Sequence, residues 1–321
     1  MIFIDSNIYL RFYDSNHELF KKLLDYLLRV KEDVFITRQV VDEVNRNKLI
    51  VFNKSISNYK IKMKLETVKL PEHFTSTSNS FDIVQWNKKR AILKEQNNQL
   101  FKDLECFFNE SLDKICSSED IVSKSLFYLF DTAIIETDEE IIEARRRKEI
   151  GNPPGKNNDC LGDQISWTQI LNNVQNTKNL WIISNDFDYF TKHDKNLYLN
   201  PFLLAELHTK NPTINVNCFN TLSIGLESYF KECKQIDFLS KKQVNEISNE
   251  EKQSLTNISS SNISAVGYNE KNKILEIEFN HGGVYQYFDV PKEEHEALMS
   301  ASSHGSYFYH NIRNCYEYSK I

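Results

Sequence analysis

Short apolar runs alternate with segments of helical periodicity along the first 230 residues of the chain. Residues 2–4 and 34–36 are apolar strand candidates, and between them leucine and phenylalanine recur at helical spacing. Strand, helix and strand in this order form the unit of a parallel sheet. The same alternation continues in strands at 180–185 and 216–219 and in helices at 201–208 and 222–233. The pattern therefore predicts an α/β domain with a parallel sheet over residues 1–233.

Two further regions depart from this alternation. Residues of about 54–150 are charged and mostly helical in pattern, so we interpret them as a helical insertion. Residues 234–257 are polar and charge-rich, which predicts a linker or a loose helix. From residue 258 the sequence pattern is typical of antiparallel strands. It predicts strands at 263–268, 273–279 and 284–290 and a helix beginning at Pro291. Residues 258–321 therefore predict a small α+β domain with an antiparallel sheet.

The composition is that of a folded protein. Of 321 residues, 40% are hydrophobic and 26% are charged, and no run approaches the ~20 apolar residues that cross a bilayer. We therefore expect a cytoplasmic protein with no membrane partner.

The six cysteines form no Cys-x-x-Cys pair, so we expect them to be reduced and mostly buried rather than paired or zinc-bound.

Net charge limits the nucleic-acid partners that the chain can attract. A formal charge of −6 argues against broad adhesion to nucleic acid, although it allows a local basic patch. The densest positive run is Arg145, Arg146, Arg147 and Lys148, followed by Lys156. This run has two interpretations, a solvated helix face and a set of contacts (Arg145, Arg146, Arg147 and Lys156) to an anionic substrate.

Acidic residues stand where the predicted elements converge. Asp5 follows the first strand, and Asp186 and Asp188 follow the strand at 180–185. Glu43 lies near the start of a helix that Thr37 can cap, and Asp163 lies on the apolar face of a helix with Trp167. Ligands of parallel sheets bind at the carboxyl ends of strands, so these acids predict one acidic cleft.

Such a cleft suits a hard divalent ion. Oxygen ligands without histidine favour Mg²⁺ or Mn²⁺ over zinc, and two such ions can activate water against a phosphodiester. We expect Asp5, Asp163 and Asp186 to be the principal metal ligands and Glu43 a further ligand or a water-orienting acid. No Ser, Cys or His nucleophile is required by this chemistry.

Four segments in order carry a family resemblance. The strand ending in Asp-Ser-Asn, Thr-Arg-Gln-Val-Val-Asp-Glu-Val, Gly-Asp-Gln-Ile-Ser-Trp and Ser-Asn-Asp-Phe-Asp-Tyr resemble the PIN-like nuclease superfamily over residues 1–230. The resemblance implies a Rossmann-like sheet and cleavage, most often of RNA, that depends on Mg²⁺ or Mn²⁺. It implies metal-binding roles for Asp5, Glu43, Asp163 and Asp186, an auxiliary acid in Asp188, and polar support from Asn7 and Ser184. The long insertion and the Pro-Pro-Gly loop depart from short PIN domains and leave the substrate open.

The C-terminal residues resemble a second family. The segments Val266-Gly267-Tyr268, His281-Gly282-Gly283-Val284-Tyr285 and Gly305-Ser306-Tyr307-Phe308 are similar to the KTSC domain, which is also appended to some lysyl-tRNA synthetases. This association is an analogy that indicates tRNA or another structured RNA. The aromatic residues of this module have two interpretations, stacking on unpaired bases and ordinary packing.

The combined expectation is a metal-dependent endoribonuclease acting on tRNA or another structured RNA, with a toxin or phage-defence setting by resemblance. Two alternatives stay open at this stage: a nuclease of single-stranded or flap DNA, and a catalytically silent protein that binds RNA or a partner. The helical insertion leaves both dimerisation and binding of an inhibitor or activator open, because its apolar stripes fit intramolecular packing equally well.

Overall fold

A four-stranded parallel sheet and a separate antiparallel sheet organise the chain. The computed structural model describes all residues except 16, 63–82, 156–160, 187, 194–195, 235–237, 253–255, 258–262, 270–271, 280–282, 302–303 and 321. The strands are β1 (Ile2–Ile4), β2 (Val34–Phe35), β3 (Asn179–Ile183), β4 (Phe190–His193), β5 (Asn196–Leu199), β6 (Asn215–Phe219), β7 (Thr256–Asn257), β8 (Ile263–Asn269), β9 (Ile274–Phe279), β10 (Gly283–Tyr287) and β11 (Tyr318–Lys320). The α-helices are α1 (Ser6–Asp14), α2 (Leu19–Arg29), α3 (Arg38–Lys62), α4 (Ile83–Cys116), α5 (Ile121–Phe130), α6 (Asp138–Glu149), α7 (Gly162–Asn173), α8 (Pro201–Lys210), α9 (Leu222–Tyr229), α10 (Lys241–Lys252), α11 (Lys292–Ser300) and α12 (His304–Asn311).

The parallel sheet has the strand order β2-β1-β3-β6. In its register Ile2 pairs with both Val34 and Trp181, and Ile182 pairs with Cys218. Strands β1 and β3 are buried on both faces, which explains why their sequences read as continuous apolar runs. Because all four strands run in the same direction, the residues that follow β1 and β3 lie at one edge of the sheet. This confirms the predicted α/β class.

Residues Lys48–Lys124 form a second compact unit, distinct from the unit that contains both sheets. Within this unit the amine of Lys48 is buried and donates to Ser118 Oγ at 2.6 Å and Ser123 Oγ at 3.2 Å. Burial lowers the pKa of Lys48, with Asp120 opposing the shift. The predicted insertion of about 54–150 falls partly on residues outside the described ranges, and the predicted domain boundaries stay predictions. In the described part of the chain, no helix is long and apolar enough to cross a membrane.

The C-terminal sheet is antiparallel, in the order β11-β10-β9-β8-β7. Its apolar face and the two following helices share one core that includes Val266, Ile277, Leu298 and Phe308. The antiparallel α+β class predicted for this region is therefore confirmed. Strand β11 and helix α12 lay outside the prediction, as did the β4–β5 hairpin of the N-terminal part.

Two predictions about packing need correction. Residues of the predicted linker form helix α10, whose Val244 and Ile247 are 2% and 0% exposed, so this helix is packed rather than loose. The cysteines are not mostly buried, since four of the five within the described ranges, Cys106, Cys116, Cys233 and Cys315, are exposed. A charge-rich sequence concealed the packed helix because only a narrow apolar stripe contacts the core.

Glu251 fixes helix α10 to the start of helix α9. Its carboxylate accepts hydrogen bonds from Leu222 N at 2.7 Å, Ser223 N at 3.2 Å and Ser223 Oγ at 2.5 Å. The cap residue Thr221 makes no side-chain capping bond of its own, so Glu251 satisfies the free backbone donors of α9 from another helix. The last turn of α10 is therefore held against the start of α9, the helix that follows the last strand of the parallel sheet.

Replacing Glu251 with alanine should destabilise the protein by about 1–3 kcal/mol, because the buried donors of Leu222 and Ser223 lose their acceptor. Chemical denaturation of the full chain measures the change. The matched control is Glu246→Ala at an exposed position of the same helix, which should change stability by less than about 0.5 kcal/mol. Equal effects of the two substitutions would contradict the capping role.

Candidate active site

Asp5 is the most firmly held acid at the carboxyl edge of the parallel sheet. It follows β1, caps helix α1 and is 6% exposed. Its Oδ1 accepts from Ser6 N at 2.7 Å, and its Oδ2 accepts from Asn7 Nδ2 at 3.0 Å and Ser184 Oγ at 2.5 Å. The two predicted supporting residues, Asn7 and Ser184, therefore both contact this carboxylate.

The loop after β3 supplies two further acids. Ser184 Oγ, which donates to Asp5, also accepts from Asp186 N at 2.9 Å, and Asp186 Oδ1 accepts from Asp188 N at 2.9 Å. Asn7 Oδ1 accepts from Asn185 N at 3.4 Å on the same loop. These bonds link the ends of β1 and β3. The Ser184 hydroxyl and the Asn7 side-chain amide thus position both Asp5, after β1, and the acidic loop after β3.

Asp163 and Glu43 approach the same carboxylates from two helices. Asp163 lies in the first turn of α7, and Glu43 lies near the start of α3, where Val40 N donates to the predicted cap Thr37 Oγ1 at 3.4 Å. A hydrogen bond of 2.9 Å between Thr37 and Ser166 hydroxyls joins the two helices. Asp5, Glu43, Asp186 and Asp188 all lie near enough to Asp163 to affect its pKa, so these five acids share one region of the structure.

Burial and the neighbouring acids both raise pKa values at this site. Burial raises the pKa of Asp5 to about 7, with Asp186 and Glu43 adding to the shift and the Ser184 hydrogen bond opposing it. Burial also raises the pKa of Asp163 well above its usual range, with further contributions from Asp5, Asp186, Glu43 and Asp188. The carboxylates repel one another, and a positive charge placed among them would relieve that repulsion.

The donor set fits a hard divalent ion in its chemistry. All five side chains offer carboxylate oxygen, the ligand type that Mg²⁺ and Mn²⁺ prefer. Within the described ranges, no three His, Cys, Asp or Glu side chains are arranged as a ready ligand group.

Arg147 occupies a different position from the one expected for a substrate contact. Its side chain is 3% exposed and forms an ion pair with Glu206 of α8, in which Nη2 lies 2.9 Å from Oε2. Trp167 Nε1 donates to the same Glu206 oxygen at 2.9 Å. The charge of the Arg147 guanidinium is thus neutralised inside the protein. The sequence had predicted that the whole basic run lies on one surface.

Arg147 and Gln164 together hold the proline loop, defined here as residues 151–155. Arg147 Nη2 donates to Pro153 O at 2.6 Å, Gln164 Nε2 donates to the carbonyls of Asn152 and Pro154, and Arg147 Nε donates to Gln164 Oε1 at 3.1 Å. These bonds satisfy the loop carbonyls with side chains from α6 and α7. The loop is therefore fixed to the helix that carries Asp163.

Gly155 ends this loop beside Asp163. Its φ of +100° is a conformation that side chains rarely adopt, and a Cβ there would lie 3.6 Å from Gln164 Nε2 and 3.9 Å from Asp163 Oδ2. The Pro-Pro-Gly sequence thus brings backbone close to the acid. The sequence indicated a loop here, but it gave no sign that Arg147, Gln164 and Glu206 would hold it.

The other predicted substrate contacts divide into two groups. Arg145 and Arg146 are exposed on α6, and Arg146 lies 3.9 Å from Glu143 in a loose pair along the helix. Lys156 lies outside the described residues. Two exposed arginines therefore precede the proline loop, and the third member of the run is internal.

Tyr189 lies near the acids and was not among the predicted site residues. Burial and the neighbouring Asp163, Asp5, Asp186 and Glu43 raise its pKa well above the usual range, so its hydroxyl is neutral. The centroid of its ring lies 6.2 Å from the ring centroids of both Phe3 and Trp167. The sequence could have indicated this residue, because Tyr189 directly follows Asp188 and so lies on the same turn as the acids.

A parallel α/β sheet with acids collected at its carboxyl edge defines the class of site, and comparison with known families defines the chain further. Residues 1–199 match the PIN_8 family model, described as a PIN like domain, so the chain belongs to the PIN-like domain family. PIN-like domains form a nuclease superfamily whose members generally use divalent metals. Residues 259–316 are a KTSC domain.

Two individual proteins are similar to shorter parts of the chain. A stretch of 51 residues, 16% of this chain, is 41% identical to an uncharacterized protein of Stutzerimonas stutzeri strain A1501 and spans 72% of that protein. The crystal structure of a KTSC domain protein from Yersinia pestis is 40% identical, with a TM-score of 0.21, over 21% of this chain and 96% of that one.

The free energy of unfolding without metal should fall as pH rises from about 4 to about 7. The folded-state pKa values of Asp5 and Asp163 are raised, to about 7 for Asp5, so the folded chain binds protons that the unfolded chain has already lost in this range. Asp163→Asn should flatten the decline and raise the denaturation midpoint at pH 8 in chelator. Asp138→Asn, at an exposed position, is the matched control, and an unchanged pH profile in Asp163→Asn would contradict the coupling.

Replacing Arg147 with methionine should destabilise the protein by roughly 2–4 kcal/mol, because Glu206 would keep a partly buried charge without its partner. The adjacent exposed position gives the control, since Arg146→Met should change stability by less than about 0.5 kcal/mol. Urea denaturation of both variants measures the difference. Comparable stabilities would mean that the ion pair does not hold the proline loop.

Proposed function

We propose that the chain is a divalent-metal-dependent endoribonuclease that hydrolyses phosphodiester bonds in RNA, with tRNA as the first substrate to test. The observation that carries the proposal is the meeting of five acids from four elements in a PIN-like domain, where burial first and the neighbouring acids second raise the pKa values of Asp5 and Asp163. A positive charge among buried acids that repel one another would be stabilising, which favours a site that operates with a cation. The KTSC domain adds the analogy with tRNA-related proteins.

In this proposal Asp5, Asp163 and Asp186 hold Mg²⁺ or Mn²⁺, and Asp188 completes the acidic set. The bound ion supplies positive charge at the scissile phosphate and acidifies water. Ser184 and Asn7 orient Asp5 through the bonds to its Oδ2, and Glu43 orients the attacking water. Water adds to phosphorus as the bond to the leaving oxygen breaks, so no covalent enzyme intermediate is formed.

Substrate contacts are proposed on the basic side of the proline loop. Arg145 and Arg146 are exposed and could approach a phosphate backbone, whereas Arg147 is internal and supports the loop. Lys156 follows the loop in sequence and is proposed as a third contact. A cytoplasmic location, a toxin or defence role, and control by an inhibitor or activator protein belong to the same proposal.

The decisive experiment incubates labelled total tRNA and a matched single-stranded DNA with the full chain in Mn²⁺, Mg²⁺ or chelator. Metal-dependent cutting of RNA is expected from the intact chain and from Asp138→Asn, and its loss is expected in Asp163→Asn. The melting temperature should rise with millimolar Mn²⁺ in the intact chain and rise less in Asp163→Asn.

The outcomes separate the proposal from its rivals. Cutting of DNA alone would show a DNA nuclease with the same site. RNA binding with neither cutting nor a shift by Mn²⁺ would show a silent binding protein and would overturn the proposed chemistry. A melting shift without cutting would support the metal site and show that the chain alone does not cleave tRNA.

A further inference from the structure

Helix α4 exposes a row of large apolar side chains. Leu93, Leu100 and Phe107 are 59%, 60% and 59% exposed, and they follow one another at a spacing of seven residues. Residues at this spacing lie on one side of a helix, two turns apart, so the three side chains form a stripe about 21 Å long. Exposed apolar rows of this regularity are typical of helices that pair with another helix.

The stripe is distinct from the buried positions of α4. Phe108 and Ile115, also seven residues apart, are only 8% and 4% exposed. The helix therefore has a buried stripe and, beside it, an exposed one. Packing of the chain on itself accounts for the first stripe and leaves the second in contact with solvent.

Charge along α4 is divided about Leu100. Before this residue the helix carries Lys88, Lys89, Arg90 and Lys94 against Glu95, a balance of +3. After it the helix carries Asp103, Glu105, Glu110 and Asp113 against Lys102 and Lys114, a balance of −2. Two such helices attract each other when antiparallel and repel when parallel, so the helix is complementary to a second copy of itself.

We propose that a second copy of this chain covers the stripe, with the two α4 helices antiparallel and centred on Leu100. In this register Leu100 faces Leu100, Leu93 faces Phe107, and Lys89 lies level with Glu110 and Ser111 of the second copy. Coiled-coil seams use two apolar rows, whereas this stripe has one, so the dimer should dissociate on dilution. We expect dissociation between about 1 and 100 μM.

Sedimentation velocity of the full chain over this concentration range tests the proposal. The intact protein should shift from monomer to dimer, and Leu100→Glu should sediment as a monomer throughout. Ile121→Glu is the matched control, because Ile121 is 65% exposed in the same unit and lies outside the stripe. Circular dichroism and melting temperature identify any variant that fails to fold.

A charge exchange tests the antiparallel register separately from the apolar contact. Lys89→Glu should weaken dimerisation at least ten-fold at low salt, and adding Glu110→Lys in the same chain should restore it. An intact protein that stays monomeric, or a dimer that survives Leu100→Glu, would overturn the proposal. Failure of the exchange to restore binding would overturn the register, and a monomer whose RNA binding is lost in Lys89→Glu would assign the helix to nucleic acid instead.

Discussion

Mutual repulsion among buried carboxylates is the constraint on which the arrangement of the N-terminal domain depends. Desolvation and neighbouring acids both disfavour the charged forms of Asp5 and Asp163, which opposes bringing these groups together. Folding must overcome this cost with interactions elsewhere. The parallel sheet does so with an apolar core, because β1 and β3 are buried on both faces directly before the acids.

Hydrogen bonds then fix the acids that the sheet brings together. The Ser184 hydroxyl holds two acids at once, because it donates to Asp5 and accepts from the backbone of Asp186. The proline loop is held by Arg147 and Gln164 beside Asp163. Both supports are internal and polar, so their bonds lie in a medium of low dielectric where they are stronger than in water.

The sequence allowed much of the fold to be predicted because the elements near the site are strongly patterned. Apolar strands ending in Asp5 and before Asp186, with helices between them, required a parallel sheet, and the sheet placed the acids at one edge. Helix α10 was not predicted as a packed helix, because its buried positions are few and its remaining residues are charged. Its anchor, Glu251, bonds to residues nearly thirty positions away, a pairing that no local pattern reports.

The basic run shows the same limit and bears on function. Arg146 and Arg147 are neighbours in sequence, yet one is exposed and the other is neutralised by Glu206, since successive residues of a helix point about 100° apart. A count of positive charges therefore overstates what this face offers a nucleic acid. Of the three arginines in this run, only Arg145 and Arg146 are exposed, and the chain as a whole carries a formal charge of −6, which disfavours the approach of a polyanion. If cations bind among the carboxylates as proposed, they would offset this charge locally, and substrate affinity as well as chemistry would then depend on them.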